Sequence, residues 1–337
     1  MRSSDEITMI KLKSHLGVIL EPSNQGFDIG ASTFGCIFKE PDDRNYYFYY
    51  TGSTEGWNKA SIGVAISLDG VRFVKHTENP LISVGTESLT PAVFKAAGKY
   101  WMAFAFRIKK RGRRLGIAVA DHPLGPWSFV KELIKPKYHW EGSSIDMGPS
   151  VVSLSQEEYL VFYSNVTNKM FQRLIFGPRY LYRRIGVLKL KISEPRRIKA
   201  ERWIKNPLTH LNGVKGTWNE SLFCPGYFKL DNKHYLLPAT STYSVPFPYK
   251  QYIGLTWDSS PFFENATIKR ILINGPEEKN DIMPGIKSEI ALDTPSPLLK
   301  GNELWLYYSM MDRADDIWKT ALSIFSLADK KQPQIDR

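Results

Sequence analysis

A three-part strand pattern recurs five times along this chain, and it constrains the fold more than any single motif. Each copy begins with a short apolar stretch that starts near a glycine or proline, and an aromatic-rich stretch and a third apolar stretch follow it. The opening stretches are TFGCIF (33–38), TPAVF (90–94), GPSVV (148–152), CPGYF (224–228) and TPSPLL (294–299). Units repeated in a fixed order predict sheets stacked on one another, because one unit cannot bury its faces alone.

The second and third stretches of each copy have distinct compositions. The second are rich in aromatic residues: YYFYY (46–50), YWMAFAF (100–106), YLVFY (159–163), HYLLPA (234–239) and ELWLYYS (303–309). The third are centred on a small residue: SIGVAIS (61–67), LGIAVA (115–120), RIGVLKL (184–190), YIGLTW (252–257) and TALSIFS (320–326). Bulky rings on central strands are typical of sheets packed face to face.

A fourth strand is predicted after the third in the first four copies, but not in the fifth. The unassigned strand GVILEP (17–22) precedes the first copy and is predicted to join the last. Such pairing would protect the sheet edges. The sequence therefore predicts an all-β, single-domain chain (1–337), folded as a five-bladed β-propeller of four-stranded antiparallel blades. The predicted blades cover about 26–82, 83–136, 137–209, 210–275, and 276–327 with 17–22.

Composition narrows the classes of function. The formal net charge is +11, which suits an anionic partner, but the basic residues fall in loops at one end and form no extended stripe typical of nucleic-acid binding. No apolar run approaches 18 residues and the N-terminus lacks a signal-peptide core, so we expect a cytoplasmic protein without a membrane partner. Cys36 and Cys224 are expected to be buried thiols. No spacing typical of a zinc, phosphate-loop or cofactor site is present, so neither metal nor cofactor is expected.

A carboxylate precedes every opening stretch. These residues are Asp28, Glu87, Asp146, Glu220, and the pair Glu289 and Asp293. In an antiparallel blade the start of the first strand and the loop between the second and third strands lie at the same end. We therefore expect the acids to gather at the mouth of the central channel, with local capping as the alternative reading.

The loops between second and third strands should form the rim of that pocket, and they are basic and aromatic. Arg113 and Arg183 are among many basic residues in them, and Trp57, Tyr243 and Trp318 could stack on a ligand. The predicted substrate-binding residues are Glu87, Asp293, Trp57, Arg107, His139, Tyr243, Arg313 and Trp318. A solvated hairpin tip is the alternative reading of KKRGRR, and a structural role that of His139.

Paired carboxylates in a pocket with aromatic walls are suited to glycoside cleavage, in which one protonates the leaving oxygen and another activates water or attacks the sugar. The chain resembles the five-bladed propeller glycosidases of glycoside hydrolase families 43, 62, 32 and 130. The five opening stretches, IGVAISLDGVRF (62–73), GKYW (98–101), SIDMGPSVV (144–152) and NESLFCPGYF (219–228) carry this resemblance.

The resemblance implies a glycoside hydrolase, inverting in mechanism, with Asp28 as base, Asp146 as the acid that tunes pKa values and Glu220 as proton donor. The first copy opens at Gly35 and not after an Asp-Pro pair, so Glu87, Asp293 or Glu55 stay open as the base, as does the absence of any base. The alternatives are a phosphorylase using inorganic phosphate and a non-catalytic propeller that binds a glycan or an anion.

Overall fold

The computed structural model describes residues 10–109, 111–166, 183–194, 197–214, 216–242, 251–266, 270–273, 289–312 and 317–327. These residues form twenty β-strands and three short 3₁₀ turns, so the predicted all-β class is confirmed. No helix in the described ranges is long and apolar enough to cross a membrane.

The strands pair in chain order as five antiparallel groups. The first contains β2 (Ala31–Phe38), β3 (Tyr46–Ser53), β4 (Ala60–Ser67) and β5 (Val74–Lys75). The second contains β6 (Glu87–Ala96), β7 (Lys99–Arg107), β8 (Arg114–Ala120) and β9 (Ser128–Ile134). The third contains β10 (Ser144–Ser153), β11 (Glu158–Val166), β12 (Ile185–Glu194) and β13 (Arg197–Arg202). The fourth contains β14 (Ser221–Leu230), β15 (Lys233–Ser241), β16 (Gln251–Asp258) and β17 (Arg270–Ile273). The fifth contains β18 (Glu289–Lys300), β19 (Glu303–Asp312), β20 (Trp318–Leu327) and β1 (Ile10–Leu20).

The N-terminal strand β1 pairs antiparallel with β20, the last strand of the chain, which is the partner expected from the sequence. It is longer than the predicted segment 17–22 and begins at Ile10. Ile10 is buried against the fourth and fifth groups, whereas Leu20 is buried against the first and fifth. Apolar residues at both ends of the strand therefore explain its length.

The second strands are buried on both faces because their side chains alternate between two neighbours. In β3, Tyr47 and Tyr49 pack with the second group, and Phe48 and Tyr50 pack with the fifth. This period of two is the geometry of any β-strand. Aromatic residues at consecutive positions therefore fill two different interfaces, which explains the aromatic richness of these stretches.

Five apolar clusters form the main core, and each lies between two groups. They join the first and second groups, the second and third, the third and fourth, the fourth and fifth, and the fifth and first. The last of these contains Phe48 and Tyr50 from the first group and Trp305 and Tyr307 from the fifth. Each group is thus stabilised mainly by its neighbours.

Candidate active site

The first strands of the five groups lie at the centre and share one irregularity. β10 packs against β2, β6, β14 and β18. Each first strand shifts register against its second strand: between Thr33 and Cys36, Leu89 and Ala92, Met147 and Val151, Phe223 and Gly226, and Asp293 and Ser296. Such bulges redirect side chains and are common beside active sites.

A repeated hydrogen bond links the bulge of one group to the second strand of the group before it. The Ser309 hydroxyl accepts the N–H of Phe34 at 2.8 Å, and the Thr51 hydroxyl accepts that of Thr90 at 3.0 Å. The Ser164 hydroxyl accepts the N–H of Cys224 at 3.5 Å.

These bonds define equivalent positions on different strands. Thr33 lies opposite Thr51, Asp146 opposite Ser164 and Asp293 opposite Ser309. Two of the central positions before a bulge therefore carry buried carboxylates, Asp146 and Asp293, and the first group carries a threonine there.

Asp146 belongs to a chain of ion pairs in which Arg113 is the central member. Nη1 of Arg113 donates to both carboxylate oxygens of Asp146, at 3.0 and 3.2 Å. Nε of Arg113 donates to Glu87 at 2.7 Å, and Nη1 of Arg107 lies 3.0 Å from the other oxygen of Glu87. Burial alone would lower the pKa of Arg113, but the carboxylates of Asp146 and Glu87 outweigh this effect and raise it. Glu87, Arg107 and Asp146, all expected near the pocket, thus lie together.

Asp293 lies in a different electrostatic environment. Its Oδ1 accepts the backbone N–H and the hydroxyl of Thr294, at 2.6 and 3.0 Å. Burial raises the pKa of the Asp293 carboxyl and nearby Asp146 adds to the rise, against opposing effects from Arg183 and Thr294. The side chain of Cys224 also forms a hydrogen bond with Asp293, and burial raises the pKa of this thiol well above its usual value. Burial therefore favours the protonated thiol of Cys224 beside Asp293.

Arg183 lies beside both acids. Its guanidinium carbon is 4.6 Å from the ring centre of Phe223, which is a stacking distance. Its Nη1 is 3.9 Å from Asp146, too far for a hydrogen bond. Its side chain is 12% exposed, and its buried Nε has no hydrogen-bond partner among the described residues.

Glu220 directly precedes β14 and is 3% exposed. One of its carboxylate oxygens accepts the backbone N–H of Gly216 at 2.8 Å. The backbone N–H of Glu220 in turn donates to Thr217 at 3.2 Å, so the side chain is fixed by a tight turn at the entrance to the strand. It stays a candidate for the proton donor.

Asp28 belongs to a separate, buried network. Its Oδ2 accepts hydrogen bonds from Nζ of Lys75 at 2.6 Å and from the hydroxyls of Tyr50 and Ser32 at 3.0 Å. The amide of Asn79 donates to Tyr50 at 3.3 Å and also pairs with the backbone of Val64.

The third group repeats this network around a different acid. Glu141 accepts from Arg202 at 2.6 Å and from Tyr163 at 2.8 Å, and Asn206 pairs with the backbone of Val187. Asp28 and Glu141 both lie three residues before a first strand, which begins at Ala31 or Ser144. This equivalence favours a structural role for Asp28 and leaves Asp146 without a carboxylate counterpart on the first group.

Three aromatic rings meet at the end of the first group. Phe34, at its bulge, has a positive φ of 45°, and its ring centre lies 5.6 Å from that of Trp57 and 4.9 Å from that of Trp318. All three side chains are partly exposed. Trp57 and Trp318 thus lie together as an aromatic surface, whose third member, Phe34, the sequence did not indicate.

The other predicted ligand contacts are less defined. His139 is exposed in a short 3₁₀ turn, His139–Glu141, before β10. Tyr243 and Arg313 lie outside the described residues. No group of three His, Cys, Asp or Glu side chains within the described residues could hold a metal ion. Arg113 and Arg183 stand out only in three dimensions, because in the sequence they are two of many basic loop residues.

These features define a class: an all-β chain whose repeated sheets bring buried acids and arginines to a common centre. The family model "Glycosyl hydrolases family 43" matches residues 37–261, more than half of the chain. The chain therefore belongs to this family and is a glycoside hydrolase, as the sequence predicted. A search of curated proteins gave no match.

Solved structures of low sequence identity share the fold. A thermostable family-43 glycoside hydrolase has a TM-score of 0.61 and 15% identity, with 93% of this chain and 98% of that chain covered. Native Bacillus subtilis arabinanase Arb43A has a TM-score of 0.57 and 15% identity, with 92% and 97% covered. The catalytic domain of the Coprinopsis cinerea GH62 α-L-arabinofuranosidase has a TM-score of 0.59 and 12% identity, with 94% and 98% covered.

Proposed function

We propose that the five groups are the blades of a closed five-bladed β-propeller, and that a glycosidic bond is cleaved with inversion where their first strands bulge. Two observations support the closed ring. An apolar cluster joins the fifth and first groups, and β18 packs against β2. The observation that carries the site is the equivalent placement of Asp146 and Asp293 at the bulges of two first strands.

The proposed roles follow from the environment of each acid. Glu220 is the proton donor, and Asp146, which accepts hydrogen bonds from Arg113, is the acid that tunes the pKa values of neighbouring groups. Asp293 is the base in place of Asp28, because Asp28 is engaged by Lys75 in a buried network. A raised pKa also makes a carboxylate a better base near neutral pH.

With these residues, inverting cleavage takes place in one step in which every bond broken and every proton transferred is accounted for. The proton of Glu220 goes to the glycosidic oxygen as its bond to the anomeric carbon breaks. A water molecule forms the new bond to that carbon from the opposite face and gives its proton to Asp293. In inverting enzymes the two carboxyl groups are about 6.5–9.5 Å apart, which leaves room for the water.

The test compares Glu220→Gln, Asp293→Asn and Asp28→Asn in an assay of reducing-sugar release over a panel of aryl glycosides and oligosaccharides. We expect the first two to lower kcat by about a hundredfold or more, because each removes one proton transfer. Asp28→Asn should retain kcat when it is assayed at a temperature at which the variant is folded. Near-normal turnover in Glu220→Gln or Asp293→Asn would refute the roles assigned to these residues. Loss of turnover in a folded Asp28→Asn variant would instead identify Asp28 as the base.

A non-catalytic glycan-binding propeller is the second candidate. Thr33, which holds the first-group position equivalent to Asp146, favours it, since its hydroxyl donates to the backbone of Lys319 and offers no base. Sugar binding without release of reducing ends by the wild-type protein would select this candidate.

A further inference from the structure

Arg183 is a nearly buried cation without a hydrogen-bond acceptor for its side chain among the described residues. Its Nε is buried without a partner, and its closest carboxylate oxygen, on Asp146, is 3.9 Å away. Burying a guanidinium is costly unless its donors are satisfied, and most buried polar groups in folded proteins have a partner. The position therefore calls for an acceptor that the protein's own side chains do not provide.

A comparison with Arg114 shows how the surroundings of Arg183 differ from those of another buried arginine. The side chain of Arg114 is also 12% exposed and its Nε is also without a partner. Its Nη1, however, donates to Glu132 at 2.7 Å. Two arginines of equal burial thus differ in their contact with an acid: Arg114 has a carboxylate at hydrogen-bond distance, whereas the nearest carboxylate oxygen to Arg183, on Asp146, is 3.9 Å away.

Acids surround Arg183, but none among the described residues bonds its guanidinium. Arg107, Arg113 and Arg183 contribute three positive charges, and Glu87, Asp146 and Asp293 are the three acids near them. Neither Asp146 nor Asp293 lies at hydrogen-bond distance from the Arg183 guanidinium. Stacking on Phe223 fixes the plane of the guanidinium, which leaves its edge available for a planar or tetrahedral oxyanion.

We propose that Arg183 binds an oxyanion that takes part in the reaction, either the carboxylate of an acidic sugar in the substrate or an inorganic phosphate. This proposal rests on the proposed function and names the chemistry of its substrate. The phenyl ring of Phe223 supports the guanidinium from one side and Asp146 keeps it oriented. Arg183 is then the residue that selects an anionic ligand over a neutral one.

Calorimetric titration of the catalytically impaired variant Glu220→Gln tests the proposal without relying on turnover. The ligands are galacturonate and glucuronate, their neutral counterparts galactose and glucose, and inorganic phosphate. We expect either a uronate or phosphate to bind, and Arg183→Gln in the same background to weaken that binding by roughly ten- to hundredfold, the loss typical of a hydrogen-bonded charge. Arg114→Gln, of matched burial, should leave it unchanged.

The outcomes separate the two sources. Uronate binding that depends on Arg183 assigns the anion to the substrate, and phosphate binding that depends on it assigns the anion to the attacking reagent. Equal affinities in Arg183→Gln and its parent, or no preference for any anion over the neutral sugars, would overturn the proposal. Because the readout is binding, an inactive wild-type protein would refute the proposed cleavage and leave this result standing.

Discussion

At the scale of single residues, Asp28 and Glu141 have the same kind of hydrogen-bond network and the same position before a first strand. Asp28 and Glu141 each accept a tyrosine hydroxyl and a basic side chain, and an aromatic neighbour, Phe27 or Trp140, packs on the tyrosine. The interplanar angle is 34° in both pairs. A repeated arrangement of this kind joins the loop before a first strand to the end of the same group.

The equivalence predicts matched losses of stability. Asp28→Asn and Glu141→Gln should each lower the free energy of unfolding by about 1–3 kcal/mol, because the basic partner keeps its charge but loses the carboxylate that neutralises it. Urea denaturation followed by tryptophan fluorescence measures this. Asp69→Asn, whose partner Arg72 is largely exposed, is the control and should cost less than about 1 kcal/mol. An effect at Asp28 no larger than that of this control would contradict the structural role.

Asp293 predicts a dependence of stability on pH. Because its pKa is raised in the folded state, the folded protein holds this proton more tightly than the unfolded chain does. Its contribution to stability is complete below the ordinary pKa of 3.8 and is lost as pH rises through the folded value. Asp293→Asn should therefore gain stability relative to wild type as pH rises from about 4 to 7. A difference in unfolding free energy that stays constant over this range would contradict the prediction.

At the scale of elements, the strands were predictable and the bulges were not. Alternating aromatic and apolar residues determine the second and third strands, because both of their faces are buried. The fourth strand predicted for the first copy is short in the structure, where β5 covers only Val74–Lys75. The side chain of Asn79 and the backbone N–H of His76 together pair with the backbone of Val64.

The sequence indicated which acids lie near strand starts, but not how they are placed relative to the bulges. Asp146 and Asp293 were two of six such acids, and their equivalent positions before a bulge are visible only in the paired strands. Asp146 lies two residues after the start of β10, whereas Asp28 lies three residues before the start of β2. The partners of Arg113 and Arg183 come from different groups, so no local pattern in the sequence could reveal them.

At the scale of the whole molecule, the N-terminal strand joins two interfaces. Leu20 lies in the apolar cluster between the fifth and first groups, and Leu16 on the same strand is 43% exposed. In the proposed closed ring, loosening one interface weakens all groups together, because each is stabilised mainly by its neighbours.

Leu20→Ala should therefore lower the free energy of unfolding by about 2–4 kcal/mol, the cost of a cavity in a packed core, in a single transition. Leu16→Ala is the matched control and should cost less than about 1 kcal/mol. Thermal unfolding by circular dichroism and by fluorescence measures both. Two separate transitions in the Leu20 variant, or equal costs for the two leucines, would argue against a ring that unfolds cooperatively.

The hydroxyl-to-backbone bonds at the bulges do not involve the side chain of the residue just before the bonded N–H. In three of the groups the hydroxyl of Ser309, Thr51 or Ser164 accepts the backbone N–H of the residue after Thr33, Leu89 or Phe223, so the side chain at that position differs while the bond is kept. The same backbone arrangement can therefore present chemically different side chains at the centre of the molecule, and the chemistry of the site depends on those side chains and not on the strands that hold them.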